Sequence, residues 1–347
     1  MNIWFTYAII AVILAAVELV YFRFAQRCNI FDKPNERSSH TSVILRGGGV
    51  IFTISMIVWL VLMSVQGMSV VEYLPFMCGL ILVSIVSFCD DVNPLPDSLR
   101  LVVQFVAVMF MFWSIELSPG IQFTVAWYWV FAIGMVALIV FVGATNVINF
   151  MDGINGITAG YSLAVLLPLL IVDGMQEFIE PSYIVVVIIG VLVFSYFNFR
   201  PKGKAKCFAG DVGSISIAFI LLFAIGRLIM KTGDASWLIF LMVYGVDGCS
   251  TILHRIKLHE NLGEAHRKHA FQLMANELGM SHITVSLIYM VLQLAISLVM
   301  IYLVPNTPLA HWLYLLLVLI SLELAYLLFM KKYYHLHEEY LKEVSRL

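Results

Sequence analysis

The stretch Phe76-Met-Cys-Gly-Leu-Ile-Leu-Val-Ser-Ile-Val-Ser-Phe-Cys89, followed directly by Asp90 and Asp91, decides the fold. The run carries no charge and is typical of a membrane span, so the two acids are expected at a membrane surface. Two like charges there repel each other and resist the loss of water, which a bound cation between them would relieve. The alternative is a solvated helix end, where acidic residues are common. The pair alone does not decide between these two interpretations.

The composition extends the same interpretation to the whole chain. Of the 347 residues, 61% are hydrophobic and 12% are charged, and the mean hydropathy is +0.95. We therefore predict an all-α, polytopic integral membrane protein that forms a single domain over residues 1–347. The five Cys have no paired spacing, so no disulfide framework or zinc site is expected. The eleven predicted spans are 3–22, 48–66, 72–89, 99–115, 126–144, 157–172, 183–198, 212–230, 236–250, 282–304 and 309–330.

The basic residues predict how the chain is oriented. Of the 20 Lys and Arg residues, 18 lie in loops after odd-numbered spans or in the C-terminal tail, and only Arg227 and Lys231 follow even-numbered spans. The positive-inside rule then puts the N-terminus outside and the C-terminus in the cytoplasm. Every polar cluster also follows an odd-numbered span, so we predict one cytoplasmic site. The net charge of -2 says nothing about nucleic acid, and no basic aromatic-rich stretch suggests such a partner, so none is expected.

A second polar cluster, Asn146-Val-Ile-Asn149-Phe-Met-Asp152-Gly153-Ile-Asn155-Gly156, follows the fifth span. The spacing of three predicts that Asn146, Asn149 and Asp152 share one helical face. Amide and carboxylate oxygens suit Mg²⁺, which usually shares its coordination sphere with substrate phosphates. The alternative is a set of Asn-capped helix ends with Gly breakers.

A third cluster, after the seventh span, contains four basic residues, Arg200, Lys202, Lys204 and Lys206. They form an anion-attracting patch, or they reflect ordinary positive-inside bias and attraction to anionic lipid. Asp211 has no basic residue adjacent in the sequence, which favours a metal-site or phosphate-site carboxylate. Phe208 is either an aromatic at the lipid interface or a stacking surface for a base.

Two further loops carry groups that are compatible with phosphate. In the long polar loop after the ninth span, His266 and His269 are spaced i, i+3 and are expected on one helical face. Phosphate binding suits them better than zinc, since no Cys or acidic ligand completes a tetrahedral set at typical spacing; a solvated basic helix is the alternative. The first loop adds Arg37, His40 and Arg46 before a Gly-rich turn.

The order of these motifs resembles a known family. Asp-x-Pro-x-x-Arg-x-x-His from Asp32 is followed by Gly-Gly, Asp-Asp, Asn-x-x-Asn-x-x-Asp-Gly-x-x-Gly, Phe-x-Gly-Asp-x-Gly-Ser and a His-containing loop. From about residue 32 to residue 269, the chain resembles the polyprenyl-phosphate N-acetylhexosamine-1-phosphate transferases. Within that family it looks more like the branch that starts O-antigen-type chains than the peptidoglycan branch.

The resemblance implies a reaction and its partners. A UDP-N-acetylhexosamine, by default UDP-GlcNAc, and undecaprenyl phosphate would give a polyprenyl-diphosphate sugar and UMP. The cofactor would be Mg²⁺, with Mn²⁺ as the alternative. The enzyme would lie in the lipid bilayer of the bacterial inner membrane, with its active site on the cytoplasmic face. Homodimers are familiar in the family.

The resemblance also implies roles for individual residues. Asp90, Asp91 and Asp211 would be catalytic, and Asp91 and Asp211 would lie at the metal. Asp90 matches a carboxylate that deprotonates or positions the lipid phosphate. Two departures are Asn155, where many members have a second Asp, and the wider His-Arg-Lys-His motif. The predicted substrate-binding residues are Arg46, Arg100, Asn146, Asn149, Asp152, Phe208, His266 and His269.

Two other classes of protein make different predictions. A transporter or cation channel with carboxylates in its pathway tends to place its ionisable residues near mid-bilayer and often contains inverted repeats. Here the acids end spans on one face, and no repeat is evident in the sequence. A non-catalytic lipid-binding membrane protein would not need three separated acidic positions.

Overall fold

The computed structural model describes residues 3–32, 43–118, 126–261 and 266–344, and these are almost entirely helical. Arg37 and His40 lie outside the described residues. Two short strands, β1 (Phe31–Asp32) and β2 (Ile44–Leu45), pair antiparallel before the second helix. The helices are α1 Ile3–Arg27, α2 Val50–Val65, α3 Leu74–Val92, α4 Asp97–Glu116, α5 Trp127–Phe150, α6 Ile157–Gln176, α7 Pro181–Asn198, α8 Gly210–Thr232, α9 Met242–Lys257, α10 Ala270–Asn276, α11 His282–Tyr302 and α12 Pro308–Val344.

The predicted all-α membrane architecture is confirmed. Within the described ranges, ten helices are long and apolar enough to cross a membrane, and α2 is a shorter apolar helix at the position of the second predicted span. Several helices end later than predicted, among them α1, α5 and α6, and three others bear on the site or its surroundings. α3 continues to Val92, because the first breaker is the Asn93-Pro94 pair, so the two acids lie in its last turn. α9 reaches Lys257, and α12 reaches Val344 because no Pro or Gly stops it after residue 330.

Helix α8 forms the centre of the bundle, and its apolar residues are almost entirely buried. Its Phe223 stacks on Phe76 of α3 with ring centroids 4.1 Å apart. Closer to the acidic end, the hydroxyl of Ser216 lies 3.0 Å from Thr53 of α2 and 2.8 Å from Ser84 of α3. Such hydroxyl groups hold apolar helices together where water cannot compete for their hydrogen bonds. Every loop that approaches the start of α8 is therefore positioned by a rigid central element.

The loops after odd-numbered spans converge on one face, as predicted. Asp91 at the end of α3 contacts the start of α8, and Asn149 at the end of α5 contacts Ser214 one turn further along. At the end of α7, the side chain of Asn198 accepts a hydrogen bond from the Gly156 N–H before α6, at 2.8 Å. Which side of a membrane this face occupies, and hence the orientation of both termini, stays a prediction.

The opposite face contains a cavity of about 600 Å³ that Arg227 and Lys231 both line. The buried Arg227 donates its Nε–H to the Phe178 carbonyl at 2.9 Å, and its Nη1 lies 3.4 Å from a Glu72 carboxylate oxygen. Its guanidinium also covers the ring of Tyr73, 5.0 Å from the ring centroid. Arg227 therefore joins α8 to the segment before α3 and to the loop after α6.

Helices α2 and α8 touch backbone to backbone where they begin. The Phe208 N–H donates to the Leu45 carbonyl, and the Gly48 N–H donates to the Phe208 carbonyl, both at 2.8 Å. Beyond this short ladder, a Cβ atom on Gly49 would lie only 2.2 Å from the Cα of Gly213. Only glycines allow this approach, so the loop before α2 and the loop before α8 form one unit.

We expect Gly213→Ala to destabilise the protein, since the added methyl group would lie 2.6 Å from the Cα of Gly49. Overpacking of this kind costs about 1–3 kcal/mol. The matched control is Gly143→Ala in α5, where no heavy atom lies within 4 Å of the added group and helix propensity favours alanine. Thermal unfolding of the detergent-purified proteins measures both effects. Equal melting temperatures for the two variants would contradict the close contact.

Candidate active site

The carboxylate of Asp91 caps helix α8 from another helix. Its Oδ1 accepts the backbone N–H of Asp211 at 2.9 Å, and its Oδ2 accepts that of Val212 at 3.0 Å. The Nε of Arg46 lies 2.8 Å from the same Oδ1. The first N–H groups of a helix have no partner within the helix, and its dipole favours negative charge there. Asp91 therefore fastens α3, the first loop and α8 together.

Asp90 and Asp211 share one arginine. Nη1 of Arg100, at the start of α4, donates to Asp90 Oδ2 at 2.8 Å and to Asp211 Oδ2 at 3.2 Å. Its Nη2 pairs with Asp97, and the Leu95 N–H donates to the other oxygen of Asp90 at 2.6 Å. No basic residue is adjacent to Asp211 in the sequence, but the fold places Arg100 in contact with its carboxylate. We call Asp90, Asp91 and Asp211 the acidic site.

The second cluster surrounds the acidic site but does not form the single face that the spacing predicted. α5 ends at Phe150, so Asp152 lies beyond the helix. Asn149 accepts a hydrogen bond from the Ser214 hydroxyl on α8, and Asp152 accepts one from the Thr158 hydroxyl on α6, both at 2.5 Å. The two side chains therefore connect α5 and the loop after it to two different helices.

The charges near the acidic site influence one another. Burial raises the pKa of Asp152 to about 6; the Thr158 hydrogen bond opposes this rise and the negative charge of Asp91 adds to it. Burial disfavours the charged form of Arg46, but the surrounding carboxylates, Asp91 first, outweigh that effect and raise the pKa of the guanidinium. The acids thus make the region favourable for cations.

Asn146 is one of the predicted substrate-binding residues, and in the structure its side chain pairs with another side chain of the bundle. Its Nδ2 donates to the side chain of Gln104 at 2.6 Å, and the Gln104 amide returns a hydrogen bond at 3.3 Å. Sequence analysis missed Gln104. A signal was present, because Gln104 follows Arg100 by four residues and so lies on the same face of α4. Thr158 gave no such signal.

Asn155 has a structural role, because its side chain connects two loops. The side chain is buried, and its Nδ2 donates to the carbonyls of Arg200 and Pro201 at 2.9 and 3.1 Å. Its backbone N–H donates to His282 of α11 at 3.3 Å. Asn155 therefore ties the loop after α5 to the loop after α7 and to α11. A carboxylate at this position could not donate to those carbonyls.

Phe208 lies beside the acidic site, in the loop before α8. Its backbone is fixed by the ladder to β2, and its side chain is half-buried. The next two residues, Ala209 and Gly210, lead directly into the first turn of α8 and to Asp211. The ladder thus fixes the backbone of Phe208 three residues before Asp211, and the residue is partly exposed.

The expected helical face of His266 and His269 is wrong, because residues 266–269 precede α10 and are not helical. The rings still lie near each other, with centroids 5.0 Å apart. His269 is buried with its Nδ1 3.4 Å from an oxygen of Asp247, which lies on α9 and not in the loop. Burial, together with His269 and nearby basic residues, lowers the pKa of the half-buried His266 to about 3, so it is neutral near pH 7.

The histidines reach the acidic site only indirectly. In the described part of the chain, neither His266 nor His269 forms an ion pair with an acid of that site. The connection runs through Phe271, whose ring would lie 3.0 Å from a Cβ atom on Gly153, next to Asp152. The structure therefore brings the His-containing loop against the loop after α5.

The oxygen ligands near the start of α8 suit a hard cation whose coordination sphere is completed by other ligands. Asp211 offers a carboxylate, and Asn149 offers an amide oxygen near the first turn of the same helix. The Asp91 carboxylate is already occupied by three donors. Among the described residues, no three His, Cys, Asp or Glu side chains form a ready-made metal site. A cation here would complete its coordination with water or with substrate oxygens.

Fold and site together define a polytopic membrane protein whose carboxylates and arginines meet at one end of the bundle. Residues 73–229, which run from α3 to α8, match the family described as glycosyl transferase family 4. The family resemblance that the motifs predicted is confirmed over this part of the chain.

Individual relatives agree with that assignment. The chain is 26% identical over 285 residues to the probable undecaprenyl-phosphate N-acetylglucosaminyl 1-phosphate transferase of Bacillus subtilis, covering 78% of this chain and 76% of that protein. It is 32% identical over 142 residues to the phospho-N-acetylmuramoyl-pentapeptide-transferase of Pelotomaculum thermopropionicum, covering 40% and 41%. The Streptococcus pyogenes protein of the same description is 25% identical over 245 residues, covering 62% and 69%.

The contacts of Asp91 and Asp211 predict that substitution of these two residues has different effects on stability. Asp91→Ala removes the cap from α8 and leaves Arg46 without its closest carboxylate, so we expect a loss of about 2–4 kcal/mol. Asp211→Asn keeps a similar shape and removes one of three crowded negative charges, so we expect no loss. Thermal unfolding in detergent distinguishes the two, and an equal decrease in both variants would refute the role given to Asp91.

The raised pKa of Asp152 predicts a pH-dependent effect. Its folded-state pKa of about 6 exceeds the ordinary value of 3.8, so ionisation of Asp152 destabilises the fold. The free energy of unfolding therefore falls as the pH rises from about 4 to about 6 and stays at the lower value above that. Asp152→Asn should therefore raise the melting temperature at about pH 8 and have little effect at about pH 4. Glu116→Gln, at an exposed position on the opposite face, controls for loss of one charge. The same change at both pH values would contradict the prediction.

Proposed function

We propose that this chain transfers an N-acetylhexosamine 1-phosphate from a UDP-sugar to undecaprenyl phosphate and releases UMP. The observation that carries the proposal is the meeting of Asp90, Asp91 and Asp211 with Arg46 and Arg100 at the ends of membrane-spanning helices. A lipid phosphate stays at the membrane surface while a nucleotide sugar arrives from water. A site at helix ends suits both substrates.

The relatives support the same class of reaction. The printed name of the Bacillus subtilis relative specifies undecaprenyl phosphate and N-acetylglucosaminyl 1-phosphate, and the match extends over most of both proteins. The phospho-N-acetylmuramoyl-pentapeptide-transferases match shorter parts of the chain. We therefore propose N-acetylglucosamine as the default sugar and the start of an O-antigen-type or other cell-envelope polysaccharide as the role.

The proposed reaction is a phosphoryl transfer. An oxygen of the lipid phosphate attacks the phosphorus that carries the sugar, and the bond from that phosphorus to the bridging oxygen breaks. UMP leaves with the bridging oxygen and its electron pair, and a polyprenyl-diphosphate sugar forms. Reactions of this kind depend mainly on positioning and on neutralising charge. Among the described residues, Arg46 and Arg100 form ion pairs with these acids, and we propose that they bind substrate phosphates.

We propose Mg²⁺ as the cofactor, with Mn²⁺ as an alternative. Asp211 fits as a ligand, because Arg100 is the only described group that donates to its carboxylate, and a side chain can turn away. Asp91 fits less well while its oxygens cap α8, so we expect it chiefly to position Asp211. When bound, the ion would neutralise the charge of the diphosphate. In this proposal, Asp90 orients the lipid phosphate or accepts its proton.

The remaining predicted residues would bind the nucleotide sugar. Phe208, which is partly exposed, offers a ring for stacking on uracil, and Asn149 and Asp152 would contact the nucleotide. His266 is neutral and half-buried and would contact a phosphate or the sugar as a hydrogen-bonding group. The proposed location is the bacterial inner membrane with this face in the cytoplasm. A homodimer also stays a prediction, which size measurement in detergent can test.

Release of UMP tests the proposed function directly. Purified protein, polyprenyl phosphate and Mg²⁺ are incubated with a panel of UDP-sugars that includes UDP-GlcNAc and UDP-N-acetylmuramoyl-pentapeptide. We expect UMP only when both the lipid phosphate and a UDP-N-acetylhexosamine are present. Absence of UMP with every sugar tested would reject the enzyme, and ion flux in reconstituted vesicles would then favour a channel or transporter.

Asp211→Asn should lower turnover by about two orders of magnitude or more, since charge stabilisation at a transferring phosphoryl group has effects of this size. Its melting temperature should not fall. Glu116→Gln is the matched control and should release UMP at the rate of the unchanged protein. Wild-type turnover in Asp211→Asn would remove this carboxylate from the proposed metal site.

A further inference from the structure

Helix α12 is much longer than a membrane span. Its 37 residues extend about 55 Å, whereas about 20 residues cross the hydrocarbon core. Residues 331–344, which we call the C-terminal extension, follow the apolar part and begin with Lys331 and Lys332. The extension lies on the same face as the acidic site, because it packs against α10 and the end of α9.

We infer that the C-terminal extension is a positioning element that holds residues 266–269, the histidine segment, in place for substrate. The inference rests on the proposed function, in which this segment contacts the UDP-sugar. It assigns a role to a part of the chain that carries none of the motifs and lies outside the part that matches the family.

The first contact is a buried carboxylate shared by the two segments. Glu277, at the end of α10, has a side chain that is only 5% exposed. Its Oε1 lies 3.0 Å from Nδ1 of His337 in the extension and 3.2 Å from Nη2 of Arg267 in the histidine segment. The Arg267 guanidinium also covers the ring of Tyr340, 4.5 Å from its centroid. Arg267 is therefore held from two sides, and it lies directly next to His266.

A second set of contacts fastens α12 to α9. The hydroxyl of Tyr326 lies 3.0 Å from that of Thr251, and the Ser250 hydroxyl donates to Glu323 at 2.5 Å. Further along, the ring of Tyr334 meets that of His254 edge to face, with centroids 4.7 Å apart. These contacts fix the direction in which the extension leaves the bundle. The extension can therefore act as a support for α10 and for the segment before it.

The supported element also reaches the acidic site. Asp247 on α9 accepts the N–H groups of Ala270 and Phe271 at 3.0 and 3.4 Å, and the Tyr289 hydroxyl donates to it at 2.6 Å. The Phe271 ring packs on Gly153 in the loop after α5. A continuous series of packed groups thus joins the extension, α10 and the loop that contains Asp152.

The position of the histidine segment matters because the neutral His266 gains little from long-range attraction to phosphate. Its contribution depends on short-range hydrogen bonding, which is lost with a displacement of about 1 Å. A loosened segment should therefore weaken binding of the UDP-sugar, whereas the acidic site and its turnover of bound substrate should change less. A merely stabilising role would instead lower the melting temperature and leave the Michaelis constant unchanged.

His337→Ala in the full-length protein tests this inference, with His335→Ala as the matched control. Both residues lie in the same helical turn region, but His337 is buried against Glu277 and His335 is exposed. Without substrate, hydrogen exchange of backbone amides in residues 266–277 should increase about tenfold or more in His337→Ala, a factor set by loss of one hydrogen bond to a carboxylate. Exchange in His335→Ala should match that of the unchanged protein.

Kinetics provide the second measurement. We expect His337→Ala to raise the Michaelis constant for the UDP-sugar about three- to tenfold with a smaller change in turnover. His337→Gln can still donate to Glu277, so its Michaelis constant should lie close to that of the unchanged protein. Equal exchange in the two alanine variants, or faster exchange across the whole protein in His337→Ala, would overturn the inference. If instead the proposed function fails, no variant releases UMP while the local difference in exchange persists.

Discussion

The carboxylate of Asp91 accepts two backbone N–H groups from the start of α8, and the rest of the site depends on this contact. It fixes the last turn of α3 against the central helix and so sets the distance between Asp90 and Asp211. It also holds Arg46, which brings the first loop to the same place. The Gly49–Gly213 contact then fixes α2 against α8. Four separate segments acquire their positions from the cap and the glycine contact.

The acids at the start of α8 and on α9 fall into two groups. Asp91 and Asp247 each accept two backbone N–H groups from the start of another helix, so fixed dipoles stabilise their charge. Asp90 and Asp211 instead share the side chain of Arg100, although Asp90 also accepts the Leu95 N–H. The N–H groups at the start of a helix cannot leave a carboxylate unless the helix unfolds, but an arginine side chain can rotate toward another anion. The first group therefore maintains the structure, and the second group can exchange partners during a reaction.

Much of the fold could be predicted from the sequence, because the length of an apolar run and the period of a helix are local properties. The eleven spans and the convergence of their loops follow from such runs. The partners at the site are not local: Arg100 reaches Asp211 across 111 positions. Likewise, no nearby pattern shows that Asn155 donates to two carbonyls of another loop. Residue types predicted the location of the candidate site, but only the packing shows which acids already accept hydrogen bonds from other groups of the protein.

The cap of α8 also has a consequence for how the chain is made. Asp91 and Val212 are 121 positions apart, and protein synthesis adds about 5–20 residues per second. For on the order of ten seconds, the new chain therefore lacks the backbone N–H groups that later cap Asp91, and both carboxylate oxygens of this residue are exposed at the end of an inserted helix. Water at the bilayer surface must solvate them during this interval. The contacts that hold α3 and the first loop against α8 thus form only after α8 has emerged from the ribosome.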